Sequence, residues 1–438
     1  MAAESVQPAR FWGLDPGVRH LNHGSFGACP TPVLAAQSEL RRRLEANPVG
    51  FMVRELEPLL DAARTELARF LGADPEGLAF LPNVTTALNT VLSVPALSRG
   101  DEVLTTDHEY NACRTALEAA AERWGTRLIV VPLPFPVASP EEITAAVLAR
   151  VTSRTRLVLL DHVTSPTALI LPVETLVAEL EGRGITTVID GAHSPGMLPL
   201  DLTHLGAAFY VGNCHKWICA PKGAGFLLAR TDWVARTRPL VIGHGANSPR
   251  ADRARFRLEF DWLGTLDPTP YLCVPEALRF MDGLFPGGWD EVRERNHALA
   301  CAGRAILCER LDLAPPCPET MLGSMAAIVL PDDEPGVGSG QPRRGEREMD
   351  DPGAAQGHGT TADPEGIRAV PPADDPLETR LFDRHHFVVP VFRWQAPRRR
   401  ILRISAQIYN RVQQYVDLAE ILANELKGSG SSGARRNV

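Results

Sequence analysis

No pair of cysteines in this chain has CxxC spacing, although it contains eight cysteines among 438 residues. That scatter excludes a disulfide framework and a zinc-site pattern, and it reads as reduced thiols in a cytoplasmic protein with no metal site. No apolar run approaches the ~20 residues that cross a bilayer, so no membrane contact is expected. The opening residues Met1–Arg10 lack the apolar core of a secretion signal. An excess of positive charge is missing too. The net charge is −8, which argues against nucleic acid as a partner. What is present is ordinary for a soluble globular protein: 44% hydrophobic and 22% charged residues. The length suits a large core and two domains.

Against this background one stretch stands out, Gly212-Asn213-Cys214-His215-Lys216-Trp217. A strand-like run, Ala207-Ala208-Phe209-Tyr210-Val211, leads into it, and Gly225-Phe226-Leu227-Leu228 follows. Burying an ammonium between apolar runs is costly, and the usual outcome is a lowered pKa or covalent use. Amines kept in this way form Schiff bases with carbonyl compounds. Upstream, Val188-Ile189-Asp190-Gly191-Ala192-His193 is a strand ending in an acid. A carboxylate there suits a pyridine ring, because it keeps the ring nitrogen protonated and the ring an electron sink. A solvated lysine and a capping aspartate are the bland readings of the two motifs taken singly.

Strand and helix signals alternate through this region. Apolar runs at Leu78–Leu81, Val103–Thr106, Leu128–Val131, Leu157–Leu160 and Thr187–Ile189 are separated by helical patterns at Asn111–Trp124, Pro140–Arg150 and Val173–Glu181. This predicts an α/β fold with a mostly parallel sheet, whose ligands bind beyond the carboxyl ends of the strands. Earlier, Pro32–Ala46 and Leu56–Leu71 read as helices, the second stopped by Gly72. A long amphipathic helix is expected beyond Tyr271. Residues 331–376 hold eight Pro, eight Gly and no Phe, Tyr or Trp, which predicts a disordered insertion in a surface loop. Strands are expected at Met325–Leu330, Phe387–Phe392 and Arg400–Ser405, then a helix to Leu426 and a flexible tail at 429–438. The expected division is 1–50 for an N-terminal arm and helix, 51–275 for a large cofactor-binding domain, and 276–428 for a smaller C-terminal domain carrying the insertion.

The chain resembles the class V aminotransferase family of fold-type I pyridoxal-phosphate enzymes, in its isopenicillin N epimerase-like branch. The resemblance rests on Leu21-Asn22-His23-Gly24-Ser25-Phe26-Gly27, Asn83-Val84-Thr85-Thr86-Ala87, His108-Glu109-Tyr110-Asn111, Asp190-Gly191-Ala192-His193, His215-Lys216-Trp217, Arg403-Ile404-Ser405 and Tyr409-Asn410. It implies pyridoxal 5′-phosphate as cofactor, Lys216 as its covalent partner and general base, Asp190 at the ring nitrogen, and His193 beside the Schiff base. It implies Thr85, Thr86, Asn213 and His215 around the phosphate, Tyr110 stacked on the ring, and Ser165 at the phenolic oxygen. Thr265 reaches the phosphate of a neighbouring subunit in the family, so a homodimer with a shared active site is expected. Arg403, the natural clamp for a carboxylate, and His23 are the implied substrate contacts. Arg398, Arg399 and Arg400 read as surface residues.

The expected substrate is a small molecule, an amino acid deprotonated at its α-carbon. Return of the proton on the opposite face gives epimerisation and needs a second acid. Loss of a β-substituent gives a C–S lyase, and proton transfer to the cofactor gives transamination; decarboxylation ranks with the last. No cysteine follows Cys317, which argues against desulfuration through a late, mobile thiol and leaves β-elimination open. A sensor that has lost turnover is the reading from another class. Such regulators carry a helix-turn-helix, for which the stretch before Leu21 has no room, and Lys216, Asp190 and Arg403 are all retained.

Overall fold

The structure, a computed structural model, describes residues 8–331, 375–395 and 398–428. The insertion expected at 331–376, apart from its ends, and the tail expected at 429–438 lie outside the described residues. In chain order the strands are β1 (Arg19–His20), β2 (Leu78–Leu81), β3 (Glu102–Thr106), β4 (Arg127–Val131), β5 (Thr155–Asp161), β6 (Thr186–Gly191), β7 (Phe209–Asn213), β8 (Gly225–Ala229), β9 (Met325–Leu330), β10 (Phe387–Val388), β11 (Val391–Gln395) and β12 (Arg398–Ser405).

Seven of them form one sheet in the order β2-β8-β7-β6-β5-β3-β4. Its five strands from β7 to β4 run parallel, and β8 is antiparallel to both neighbours. Every residue of β3, β7 and β8 is buried, as continuous apolar runs predict for a sheet covered on both faces. The fold is the α/β architecture of fold-type I enzymes. The carboxyl ends of β5, β6 and β7 lie side by side, with Asp161 opposite Asp190 and Asp190 opposite Val211. The loop after β3 delivers Glu109 and Tyr110, and the loop after β7 delivers Lys216.

A second sheet, β11-β12-β9, is antiparallel and places Arg403 opposite Ala327. The short pair β1 and β10 joins the start of the chain to this C-terminal part, Arg19 facing Phe387. Three expectations change. The long helix beyond Tyr271 is broken into Val274–Asp282 and Gly288–Leu311, because Phe285-Pro286-Gly287-Gly288 interrupts it and Gly288 takes a positive φ of 59°. The strand expected over Phe387–Phe392 splits into β10 and β11, with the unstranded Val389-Pro390 between them. Arg400 is a buried residue, not a surface one. Its guanidinium donates two hydrogen bonds to the buried Asp375 carboxylate, at 2.9 and 3.0 Å, and Asp375 in turn caps the helix Pro376–His385.

Candidate active site

Lys216 is half-buried, and its Nζ lies 3.1 Å from His193 Nε2. Burial, and then the Arg403 guanidinium, push the amine down to about 8. Asp190, Cys113 and Asp161 oppose that shift. Burial holds His193 far below the usual imidazole range, so it is neutral. Its Nε2 lone pair faces Lys216, which leaves the proton on Nδ1. That Nδ1 is buried and has no hydrogen-bond partner among the described residues.

Asp190 is the last residue but one of β6. Its Oδ1 accepts from the Ala192 amide at 2.7 Å, and its Oδ2 accepts from the Cys113 thiol at 3.1 Å. Glu109 and Asp161 are buried beside it. Burial raises all three carboxyls, Glu109 and Asp161 well above the ordinary range. Asp190 has two donors and the Lys216 charge to favour its ionised form, and its charge raises both Glu109 and Asp161, so it is the acid of the three that carries the negative charge.

Arg403 is 1% exposed. Its NH1 donates to Ser165 O at 2.6 Å and Ser165 Oγ at 3.1 Å, and its NH2 to Asn22 Oδ1 at 2.8 Å and Ser25 Oγ at 3.0 Å. All four acceptors are neutral, Nε has no partner, and no carboxylate lies within ion-pair distance among the described residues. The segment Asn22–Gly27, containing the short helix His23–Phe26, is wedged between this guanidinium and the lysine. A Cβ on Gly27 (φ 69°) would meet His215 O at 2.2 Å and Lys216 Cα at 2.9 Å, so only glycine fits there.

Residues 27–302 match the family described as aminotransferase class-V. The isopenicillin N epimerase of Streptomyces clavuligerus is 40% identical over 76% of this chain and 85% of its own. That of Amycolatopsis lactamdurans is 37% identical over 93% and 95%. An L-cysteine desulfhydrase of Arabidopsis thaliana is 31% identical over 76% and 75%. Among solved structures, a lysine-to-alanine mutant of C-DES with glycine linked to its PLP cofactor superposes with a TM-score of 0.69, at 21% identity, over 93% and 96% of the two chains. The chain belongs to the class V aminotransferase family.

Members of this family are enzymes dependent on pyridoxal 5′-phosphate, and the residues present fit that group. A half-buried amine of lowered pKa stands near an ionised aspartate, and a buried Nδ1–H of His193 has no acceptor among the described residues. At the start of the helix Val84–Val91, Asn83 Oδ1 takes the Thr86 amide and hydroxyl, at 2.9 and 3.1 Å, and Asn213 Oδ1 takes the Val84 amide at 3.1 Å. Thr85 is exposed, with neither its amide nor its hydroxyl engaged by a described residue. The His215 ring donates to Ala224 O at 2.9 Å, and burial pushes it down to about 4.

Four expected residues stand apart from the Lys216–His193–Asp190 group. His23 is buried, not open to a ligand. Its Nδ1 accepts from Tyr409 OH at 2.9 Å and from the Ala28 amide at 3.3 Å, and its Nε2 donates to the Lys216 carbonyl at 3.0 Å. The ring is therefore a brace under the lysine backbone. Ser165 is engaged by Arg403 instead of standing open for a phenolic oxygen. Tyr110 is 50% exposed, on the loop before the helix Asn111–Trp124. Thr265 lies on an exposed turn after Gly264 and joins none of these contacts.

Glu109, Cys113 and Asp161 were missed, because their grouping requires three strand ends far apart in sequence. A signal for Asp161 existed, since Leu157-Val158-Leu159-Leu160-Asp161 repeats the apolar run ending in an acid that marks Asp190. Lysine count was a second unused signal: the chain has three lysines, Lys216, Lys222 and Lys427.

Proposed function

We propose that this class V family member inverts the α-carbon of an amino acid substrate. One observation carries the α-amino acid reading: Arg403 is a buried cation whose bonded partners are all neutral, and an α-carboxylate supplies the missing charge. Lys216, with its amine pushed down to about 8, takes the α-proton as general base. His193 accepts a hydrogen bond from that amine and keeps it aimed. When bound, pyridoxal 5′-phosphate supplies a ring that takes up the electron pair left on the α-carbon. Asp190, ionised and steadied by Cys113 and Ala192, holds a proton on the ring nitrogen. Thr85, Thr86, Asn213 and His215 receive the phosphate, with the Thr85 amide and hydroxyl the unengaged donors at a helix N-terminus. Tyr110 covers the ring.

Inversion is favoured over elimination by the 37% identity to an isopenicillin N epimerase across 93% of this chain and 95% of that one. The 31% identity to an L-cysteine desulfhydrase supports a C–S lyase as the second reading. A homodimer in the cytoplasm completes the proposal, with residues 51–275 and 276–428 as its two domains. Its supports are the exposed turn at Thr265, the adjoining apolar pocket of Met52, Leu56, Phe260 and Tyr271, the exposed Val53, and eight free, buried cysteines.

The test is proton NMR of the cofactor-loaded enzyme in D2O with isopenicillin N, simple amino acids and cysteine conjugates, followed by chiral analysis. Loss of the α-proton signal with appearance of the other epimer is the expected result. Release of pyruvate and a thiol establishes the lyase instead, and absence of any exchange rejects both.

A further inference from the structure

We propose that Tyr110 is the acid and base on the face opposite Lys216. The α-proton then leaves to one side of the substrate and another returns from the other side. This assignment rests on the epimerase reading above.

Sheet order carries the argument. Asp190 lies at the carboxyl end of β6, which fixes the centre of the ligand. Lys216 follows β7, one strand to one side. Tyr110 follows β3, two strands to the other side. With strands ~4.8 Å apart, the ends of β7 and β3 stand about 14 Å apart. A gap of that width would admit a flat ligand between a lysine and a tyrosine. Arg403 is bonded to Ser165 in the loop after β5, the strand that lies between β6 and β3. A carboxylate held there brings the α-carbon between the two groups.

The other histidines and tyrosines nearby are taken or lie on the wrong side, and the carboxyls of Glu109 and Asp161 are grouped with Asp190 at the ring-nitrogen end of the site. His193 contacts Lys216 itself at 3.1 Å, so it serves the lysine face. The Tyr409 hydroxyl is bound to His23, the Tyr210 hydroxyl to His162, and His108 to Thr167. The Tyr110 hydroxyl makes no hydrogen bond to a described residue, and its side chain is half-exposed. The step balances without a redox partner. The Cα–H bond breaks and its proton goes to Lys216 Nζ, the electron pair staying with the bound substrate. The Tyr110 O–H bond breaks and its proton forms the new Cα–H bond on the opposite face. Water then reprotonates the phenolate, and Lys216 returns its proton to solvent.

The experiment compares wild type and Tyr110→Phe, both loaded with pyridoxal 5′-phosphate, in D2O. Each enantiomer is supplied separately, using the first panel amino acid whose α-proton the wild type exchanges. In Tyr110→Phe we expect inversion to fall at least ~100-fold, the scale of general acid–base catalysis. One enantiomer should still exchange its α-proton with retention, through Lys216. The absorbance and affinity of the bound cofactor should match wild type in Tyr110→Phe and weaken in Tyr110→Ala, which lacks the ring. Inversion by Tyr110→Phe at the wild-type rate overturns the assignment. So does equal loss of exchange from both enantiomers together with weakened cofactor binding, which marks a purely structural role. Absence of exchange in the wild type rejects the epimerase reading itself.

Discussion

Replacing Arg403 by Met separates a substrate clamp from a structural strut. As a strut, Arg403 ties Asn22 and Ser25 to Ser165, and its loss should loosen the fold. As a clamp, it is a charge carried into the interior in advance of its anion. Desolvating a cation is unfavourable, and none of its four bonds returns an opposite charge. The freed partners Asn22, Ser25 and Ser165 are only partly buried, so water can replace the guanidinium. A similar-sized apolar side chain should therefore leave the melting temperature unchanged or raise it. Catalysis should respond in the other direction. Truncating one member of a buried, hydrogen-bonded charge pair costs about 2–5 kcal/mol, which is roughly a 30- to 4,000-fold loss of kcat/KM at 1.4 kcal/mol per tenfold. Arg403→Lys should recover part of it, since the charge returns but the planar fork does not. A second readout is the pH profile. Arg403 depresses the Lys216 amine, so its removal raises that pKa and moves the acid limb of activity to higher pH. The assay is α-proton exchange across pH, with calorimetry on the same samples. A clear fall in melting temperature with KM unchanged would refute the clamp.

Four further outcomes are expected. Capture of pyridoxal 5′-phosphate by the apo protein should be half-maximal near pH 8, against 10.5 for an ordinary lysine, because Lys216 reacts only when unprotonated. The same shift leaves the unfolded chain holding the proton longer, so this group makes apo-protein stability rise with pH between about 8 and 10.5; a flat response there rejects the lowered pKa. Gly27→Ala should strain the backbone by on the order of 1–3 kcal/mol and push Lys216 out of place, lowering cofactor affinity at least ~10-fold; unchanged affinity shows that the wedge is slack. None of the eight cysteines should react quickly with a thiol reagent at neutral pH in the native state, and all eight should react in denaturant, since every one is buried. Rapid native labelling contradicts that burial.

The strands that carry Asp190 and Lys216 were legible because a doubly covered sheet writes unbroken apolar runs into the chain. A charged residue at the end of such a run has nowhere else to point. Arg403 was legible for its chemistry, but not its neighbours. Alternation along β12 cannot show that Ser165, 238 positions earlier, is already bound to it. His23 was misjudged for a related reason. A glycine-rich loop looks like a ligand surface, yet here Tyr409 and the Lys216 carbonyl occupy both ring nitrogens. The buried acids around Asp190 escaped notice because grouping them requires the strand order, which no local pattern encodes.

The pairing of β1 with β10 has a consequence for biosynthesis. The lysine and its aspartate are complete once the strand ending at Ala229 has left the ribosome. Their brace and the carboxylate clamp are not, because His23 and Asn22 depend on Tyr409 and Arg403. At 5–20 residues per second, the interval between the emergence of Lys216 and of Arg403 is roughly 10–40 s. During that time the first residues have no β-strand to join, and the reactive amine has no guanidinium beside it. The nascent chain therefore meets its cofactor, if at all, before it can select a substrate.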